Sequence, residues 1–324
     1  MNRDIFVVIE HLQGRVAEIC YVMLAAARVL AQGTEGKVIA LLLGHQAREL
    51  AADLAADQVW YVDHPLLADF TSDAYQQVLA ELLPAKAPRV VLLGDTSIGA
   101  EVAGGLSARL GWPLVSYCRS VRASNGTLEF VCQICGGRIL AEGELPGPSA
   151  LLTMIPGGFK PEQGRAAQAP EVTQLEAPEL EGLRVKVKQY LEPAAGDVDI
   201  TKEPVLISVG RGIQQQDNLA LVEELAAAMG SVVSASRPVV DQGWLPTTRL
   251  VGKSGKRVKP KVYLALGISG APEHIEAITD SELIIAVNTD PAAPIFNVAQ
   301  YGAQMDMFEL LPVLTEQARQ AKAS

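Results

Sequence analysis

Four short stretches in the second half of the chain pair glycine with groups that can hold an anion or a polar ring. They are Gly210-Arg211-Gly212, Ser236-Arg237, Gly267-Ile268-Ser269-Gly270 and Asn288-Thr289-Asp290. Each follows a short apolar run of strand character. Glycine there lets a ligand approach bare backbone, and a following helix offers free N–H groups to negative charge. Arginine adds fixed positive charge. One such turn means little, because tight strand-to-helix turns need glycine anyway. Four along one edge, two with arginine, point to a phosphate-containing ligand. The usual fingerprints are missing: Gly210-Arg-Gly212-Ile-Gln-Gln215 lacks the third glycine of GxGxxG, no lone acid closes the next strand, and Walker A is absent. A dinucleotide here would bind in another mode.

Other chemistry-bearing residues read as structural. Cys132-Gln-Ile-Cys135 has CxxC spacing but lies in a predicted strand, where residues three apart face opposite sides. Joint metal ligation or a disulfide is therefore not expected. Gly94-Asp95-Thr-Ser-Ile-Gly99 is a further strand–turn–helix stretch that could bind an anion in principle. His11, His45 and His64 lack metal-ligand spacing, and no catalytic triad emerges.

The elements that position these residues follow an α/β pattern. Strands are predicted at Ile5–Ile9, Val38–Leu43, Val59–Val62 and Arg89–Leu93. Helices are predicted at Val16–Ala31, Gln46–Ala55, Ala74–Leu83 (ended by Pro84) and Gly99–Leu110. Such alternation calls for a parallel sheet with helices on both faces. Strands then dominate: Cys118–Ala123 and Thr127–Ile134 flank Asn125-Gly126, a strong hairpin signal, and Arg138–Glu144 and Ser149–Thr153 follow. The expectation is an N-terminal nucleotide-binding-like domain over residues 1–160 with an antiparallel addition. Residues 161–203 read as a linker or strap, with an edge strand at Leu183–Leu191. A second, doubly wound domain spans 204–324. Its strands are Val205–Val209, Val232–Ala235, Val262–Leu266 and Leu283–Val287, its helices Asn218–Met229, Pro272–Ile278 and Met305–Lys322, the last kinked or restarted at Pro312.

Composition narrows the partners. Of 324 residues, 27 are Lys or Arg and 37 Asp or Glu, giving a net charge of −10. That balance argues against nucleic acid or an anionic membrane surface; only Lys253–Lys259 is locally basic. No apolar run approaches the ~18 residues needed to span a bilayer. An acid interrupts the first apolar run too early for a signal peptide. Four cysteines fit a reducing compartment, so a cytoplasmic location is expected.

Several segments carry a more specific signal. Val209-Gly-Arg-Gly212, Ala235-Ser-Arg-Pro-Val-Val-Asp-Gln-Gly-Trp244 and Val251-Gly-Lys-Ser-Gly255 resemble the electron transfer flavoprotein α-subunit family. So do Gly267-Ile-Ser-Gly-Ala271 through His274, and Ala286-Val-Asn-Thr-Asp-Pro-Ala-Ala-Pro-Ile-Phe296, with matching spacing from Asn288 to Asp306. The resemblance spans essentially the whole chain and is weaker before residue 160. It implies a heterodimer with an electron transfer flavoprotein β subunit, and an FAD held mainly by the second domain. AMP or a second FAD would sit on the β subunit.

The resemblance also implies residue roles. Arg211 and the turn Ser269, Gly270, Ala271 and Pro272 would face the FAD phosphates and ribityl chain. Ser236 and Arg237 would lie near the flavin. Val251, Gly252 and Lys253 lead to Ser254, whose hydroxyl would bond near flavin N5. Glu273 and His274 would approach the pyrimidine edge, and Asn288, Asp306 and Met307 the adenosine end. Positive charge or hydrogen-bond donors at that pyrimidine edge stabilise the negative charge a flavin gains on reduction. Lys253, Pro272 and Glu273 depart from the family's commoner residues.

The implied function is electron carriage, not catalysis. Electrons would pass from acyl-CoA dehydrogenases, as in fatty acid β-oxidation, towards a quinone oxidoreductase. Two alternatives stand: a non-redox adenine-nucleotide-binding regulatory module, and an NADH-linked bifurcating flavoprotein.

Overall fold

The computed structural model describes residues 3–124, 127–135, 137, 139–190 and 198–323. The chain divides into two compact units, Met1–Tyr190 and Leu191–Ser324. Both are α/β, as the alternation of apolar runs and helical segments requires.

In the first unit, β1 (Ile5–Ile9), β2 (Val38–Gly44), β3 (Gln58–Asp63) and β4 (Val90–Gly94) form parallel neighbours. Next come β5 (Leu114–Ser124), β6 (Thr127–Ile134) and β7 (Ile139–Glu144), an antiparallel extension. β8 (Ala150–Met154) and β9 (Glu171–Leu175) complete a nine-stranded sheet in the order β9-β3-β2-β1-β4-β8-β5-β6-β7. Alternate side chains of β1 enter two cores, Ile5, Val7 and Ile9 on one face and Phe6 and Val8 on the other. Helix α1 (Glu18–Thr34) covers the first face, and α2 (Ser72–Lys86) and α3 (Ser97–Leu110) the second. A strand apolar on both faces is the mark of a parallel sheet so covered.

Several local expectations change. The Gln46–Ala55 helix is only a 3-10 turn over Arg48–Ala51, entered through Gln46 at φ 52° and left towards Leu54, which bridges Arg165. Pro84 lies inside α2 rather than ending it; near the C-terminus its missing N–H costs a single bond, and Ala87 closes the helix onto the Leu83 carbonyl. Ser149–Thr153, read with the antiparallel group, becomes β8, parallel to both β4 and β5. The strap contains β9, paired parallel to β3, so the first sheet runs past residue 160. Its sequence, Glu-Val-Thr-Gln-Leu, is too polar for an apolar pattern because it is an edge. The described residues of Leu183–Leu191 form no strand. The Asn125-Gly126 turn lies outside the described residues, although Ser124 and Thr127 pair across it. Cys132 is buried in β6, whereas Cys135 lies just past the strand end, exposed in a turn at φ 54°, so the two do not share a strand as expected; all four cysteines are free.

The second unit holds β10 (Val205–Val209), β11 (Val232–Ala235), β12 (Val262–Leu266), β13 (Leu283–Asn288) and β14 (Tyr301–Gln304). All pair parallel in the order β11-β10-β12-β13-β14. Its helices are α4 (Leu219–Met229), α5 (Arg237–Asp241), α6 (Pro272–Ile275) and α7 (Met307–Ala323). Helices α4, α5 and α7 pack on the core built on Ile207, Val209 and Leu264; the other face buries Leu206, Tyr263, Ala265 and Ile284 beneath loop segments. Strand order reverses between β10 and β12, and an open α/β sheet binds ligands beyond the strand ends at such a point. Pro272 occupies the first turn of α6, where proline is suited; Pro312 lies within α7, not at a break. Strand β14 and helix α5 are too short to register as patterns.

Among the described residues, no helix is long and apolar enough to cross a membrane. No cluster of His, Cys, Asp and Glu among them could hold a metal ion.

Candidate functional site

At the switch point the loops after β10 and β12 press backbone against backbone. A Cβ on Gly210 would lie 2.2 Å from the Gly267 carbonyl oxygen, and one on Gly212 2.8 Å from the Gly267 Cα. Gly267 has φ 61°, and a Cβ there would meet the Met307 side chain at 2.4 Å. Gly270 has φ 86°, with the Ile295 backbone nitrogen 2.4 Å from its would-be Cβ. Only glycine satisfies these contacts, and the left-handed φ values exclude other residues without strain. The Gly212 N–H donates to the Gly267 carbonyl at 3.1 Å, locking the two loops. The result is a cradle without side chains, floored by buried Met307.

Donors surround it. Arg211 is exposed, and the N–H groups of Ser269, Gly270 and Ala271 find no acceptor among the described residues. Consecutive free N–H groups of this kind receive an anion. Ser236 is buried where β11 ends, and its N–H donates to the Val209 carbonyl. Arg237 is exposed and pairs with Asp241 at 3.3 Å.

A second loop joins from the side. The Val251 N–H donates to Ala235, and Gly252, at φ 152°, turns the chain towards exposed Lys253 and Ser254. The Lys253 N–H donates to the Glu273 carbonyl at 2.9 Å. His274 is 6% exposed, with Nδ1 3.1 Å from the Val251 carbonyl and Nε2 2.9 Å from the Tyr263 hydroxyl. Burial pushes its pKa down to about 4, so the ring is neutral at physiological pH. Both ring nitrogens are thus engaged inside the protein, rather than left free for a ligand.

The remaining positions close the turn. Asn288 Nδ2 donates to the Ile268 carbonyl at 2.9 Å, and Asn288 Oδ1 accepts from the Asp290 N–H. The Met305 N–H donates to the Asn288 carbonyl, bringing Asp306 alongside; its carboxylate accepts from the Phe308 N–H at the start of α7. Hydrogen bonds join Val251 to His274, Lys253 to Glu273 and His274 to Ala271, while Asn288 holds Ile268 and Met307 lies against Gly212 and Gly267; Arg211 and Ser236 sit one residue from these contacts, next to Gly212 and Ala235. Tyr263 is the residue sequence reasoning missed. Its only signal was a hydroxyl-bearing side chain in an otherwise aliphatic strand.

These features fit an extended ligand with an anionic middle: loops packed backbone to backbone through glycine, free N–H groups on the turn after β12, and an exposed arginine beside them. The other candidate edge is different. Thr96 caps α3 by accepting from the Gly99 N–H at 2.9 Å, and it donates to Glu10 Oε2 at 2.6 Å. Asp95 accepts from the Thr153 hydroxyl and the Tyr117 N–H. Two carboxylates occupy the place an anion would take.

Comparison with known proteins extends this picture. Two family models match the chain: the electron transfer flavoprotein domain over residues 5–180, and the electron transfer flavoprotein FAD-binding domain over residues 199–279. The electron transfer flavoprotein subunit alpha of Thermoanaerobacterium thermosaccharolyticum is 34% identical, covering 99% of each chain. The acryloyl-CoA reductase electron transfer subunit beta of Anaerotignum propionicum is 35% identical over 99% of this chain and 96% of its own. Protein FixB of Clostridium saccharobutylicum is 33% identical over 98% and 97%.

Proposed function

The chain belongs to the electron transfer flavoprotein α-subunit family, and we propose that it holds an FAD at the carboxyl edge of its five-stranded sheet and carries electrons between partner proteins. The observation that carries this reading is the glycine cradle with its free N–H groups and its arginine. Arg211 and the N–H groups of Ser269–Ala271 would bind the FAD phosphates, Asn288 and Asp306 would lie towards the adenosine, and Ser236, Arg237 and Ser254 towards the ring. When bound, FAD supplies the one-electron chemistry. The chain's share is to bind the group, orient it and place positive charge at its rim, which needs no acid, base or nucleophile.

The proposed partner is an electron transfer flavoprotein β subunit carrying AMP or a second FAD. Donors and acceptors would dock transiently: acyl-CoA dehydrogenases on one side, a quinone oxidoreductase on the other. The four free cysteines support the cytoplasm as the compartment.

A second reading is favoured by one relative, whose name places it as the electron transfer subunit of an acryloyl-CoA reductase. In it, electrons enter from NADH through a second flavin and leave towards an acyl-CoA-type acceptor. Co-purification of the chain with its β subunit, a flavin count per heterodimer and NADH addition test both. One flavin that NADH does not reduce supports the simple carrier, and two flavins with NADH reduction support the second reading. A colourless complex that binds AMP alone overturns both and leaves the non-redox nucleotide module.

A further inference from the structure

The His274 contacts assign its hydrogen atoms. The Val251 carbonyl can only accept, so Nδ1 carries the proton and donates at 3.1 Å. In a neutral ring Nε2 is then bare and accepts, so the Tyr263 hydroxyl donates to it at 2.9 Å. The two rings lie 6.0 Å apart at a 54° tilt, and Tyr263 is fully buried as the second residue of β12. His274 thus bridges a rigid strand to a loop. The loop meets the turn at a second point, where the Lys253 N–H donates to the Glu273 carbonyl.

We propose that Tyr263 is a positioning residue for this site: its hydroxyl fixes the His274 ring, which in turn clamps the Val251–Ser254 loop onto the Ser269–His274 turn. Without the Tyr263 hydroxyl, Nε2 becomes a buried acceptor with no partner, and the ring keeps only its Nδ1–H bond to Val251. A ring held at one end turns to relieve that bare nitrogen, and the loop loses its anchor. Gly252 gives that loop little stiffness of its own. The effect on cofactor holding rests on the FAD reading above; the tautomer assignment does not.

The test uses the full chain, labelled with 15N-histidine and in complex with its β subunit. Wild type should show His274 as the Nδ1–H tautomer. Tyr263→Phe keeps the ring volume, so we expect the Nδ1–H proton to lose its protection from solvent exchange and FAD to dissociate faster by roughly tenfold, the scale of one lost hydrogen bond. An Nδ1–H proton with unchanged position and exchange in Tyr263→Phe overturns the proposal. So does a faster-exchanging Nδ1–H with FAD dissociation within twofold of wild type, since the ring would then not order the loop. If Tyr263→Phe does not fold, Tyr263→3-fluorotyrosine strengthens the donor without changing the fold; a shifted Nε2 resonance supports the proposal and an unmoved one overturns it. Wild type that binds no FAD would defeat the functional reading, while the His274 resonances would still decide whether Tyr263 holds the ring.

Discussion

The two sheets end in the same kind of strand–turn–helix edge, yet the loops of one satisfy their own polar groups and the loops of the other leave N–H groups free. Beside β1 and β4, Glu10, Asp95, Thr96 and Thr153 satisfy one another and the start of α3. Beside β10 and β12, the glycines bring no side chains, the turn keeps free N–H groups, and Arg211 stands at the rim. Topology offers a site at both edges. Whether it is used depends on whether the loops neutralise their own N–H groups.

The sharpest way to break this contrast is a matched pair of glycine substitutions. In Gly210→Ala the new methyl meets the Gly267 carbonyl oxygen at 2.2 Å. Such overpacking costs about 1–3 kcal/mol and displaces the cradle, so FAD affinity should fall roughly 100-fold. In Gly99→Ala the methyl meets the Gly94 carbonyl oxygen at the same 2.2 Å. We expect lower thermal stability there but native flavin content in the folded protein. Fluorescence titration with FAD separates the two, and equal losses of affinity would abolish the distinction.

Acid should act on the two edges in opposite senses. His274 has its pKa lowered from 6.5 to about 4, so the unfolded chain takes up the proton first. Its contribution is complete above pH 6.5 and is lost as pH falls to about 4, by about 3 kcal/mol in all. Glu10 has its pKa raised, chiefly by burial, so its contribution is complete below the unfolded value of 4.5 and is lost as pH rises through the folded one. Denaturant titrations of wild type and His274→Gln across pH 4–7 should differ in slope. Parallel curves would remove the buried neutral imidazole from the account.

Arg211→Ala should weaken FAD by about tenfold, with a reduced salt dependence, since a charge-assisted hydrogen bond is worth roughly 1.5–3 kcal/mol before solvent screening. Glu10→Gln in the first unit should leave affinity unchanged. The smallest effect is expected from Asp241→Asn, which removes the partner of Arg237 in a pair with both side chains more than half exposed. Stability should move by less than about 0.5 kcal/mol, and a larger change by thermal melting would mean that Arg237 is less solvated than its exposure indicates.

The sequence made the ligand edge of the second unit readable because glycine and arginine at strand ends are local signals. Val262–Leu266 and the turn after it could be read almost residue by residue. The partner of His274 could not, since Tyr263 lies eleven positions earlier and meets it only when β12 and the turn fold back together. Likewise Val251 reaches His274 from a separate loop. Strands β9 and β14 escaped for another reason. An edge strand pairs on one side only, and Glu171-Val-Thr-Gln-Leu175 and Tyr301-Gly-Ala-Gln304 have too few apolar residues to reveal one. The Gln46–Ala55 error came from helix propensity, which Gln46 at φ 52° and the Leu54–Arg165 bridge override.

The late strand β9 also bears on how the chain is made. It closes the open side of β3, yet a ribosome reaches Glu171 long after Asp63. At roughly 5–20 residues per second, the free edge of β3 waits on the order of ten seconds for its neighbour. During that interval it offers unpaired N–H and C=O groups to any other nascent strand. The segment that resembles a mere connector on paper is thus the piece whose arrival covers the waiting edge of β3.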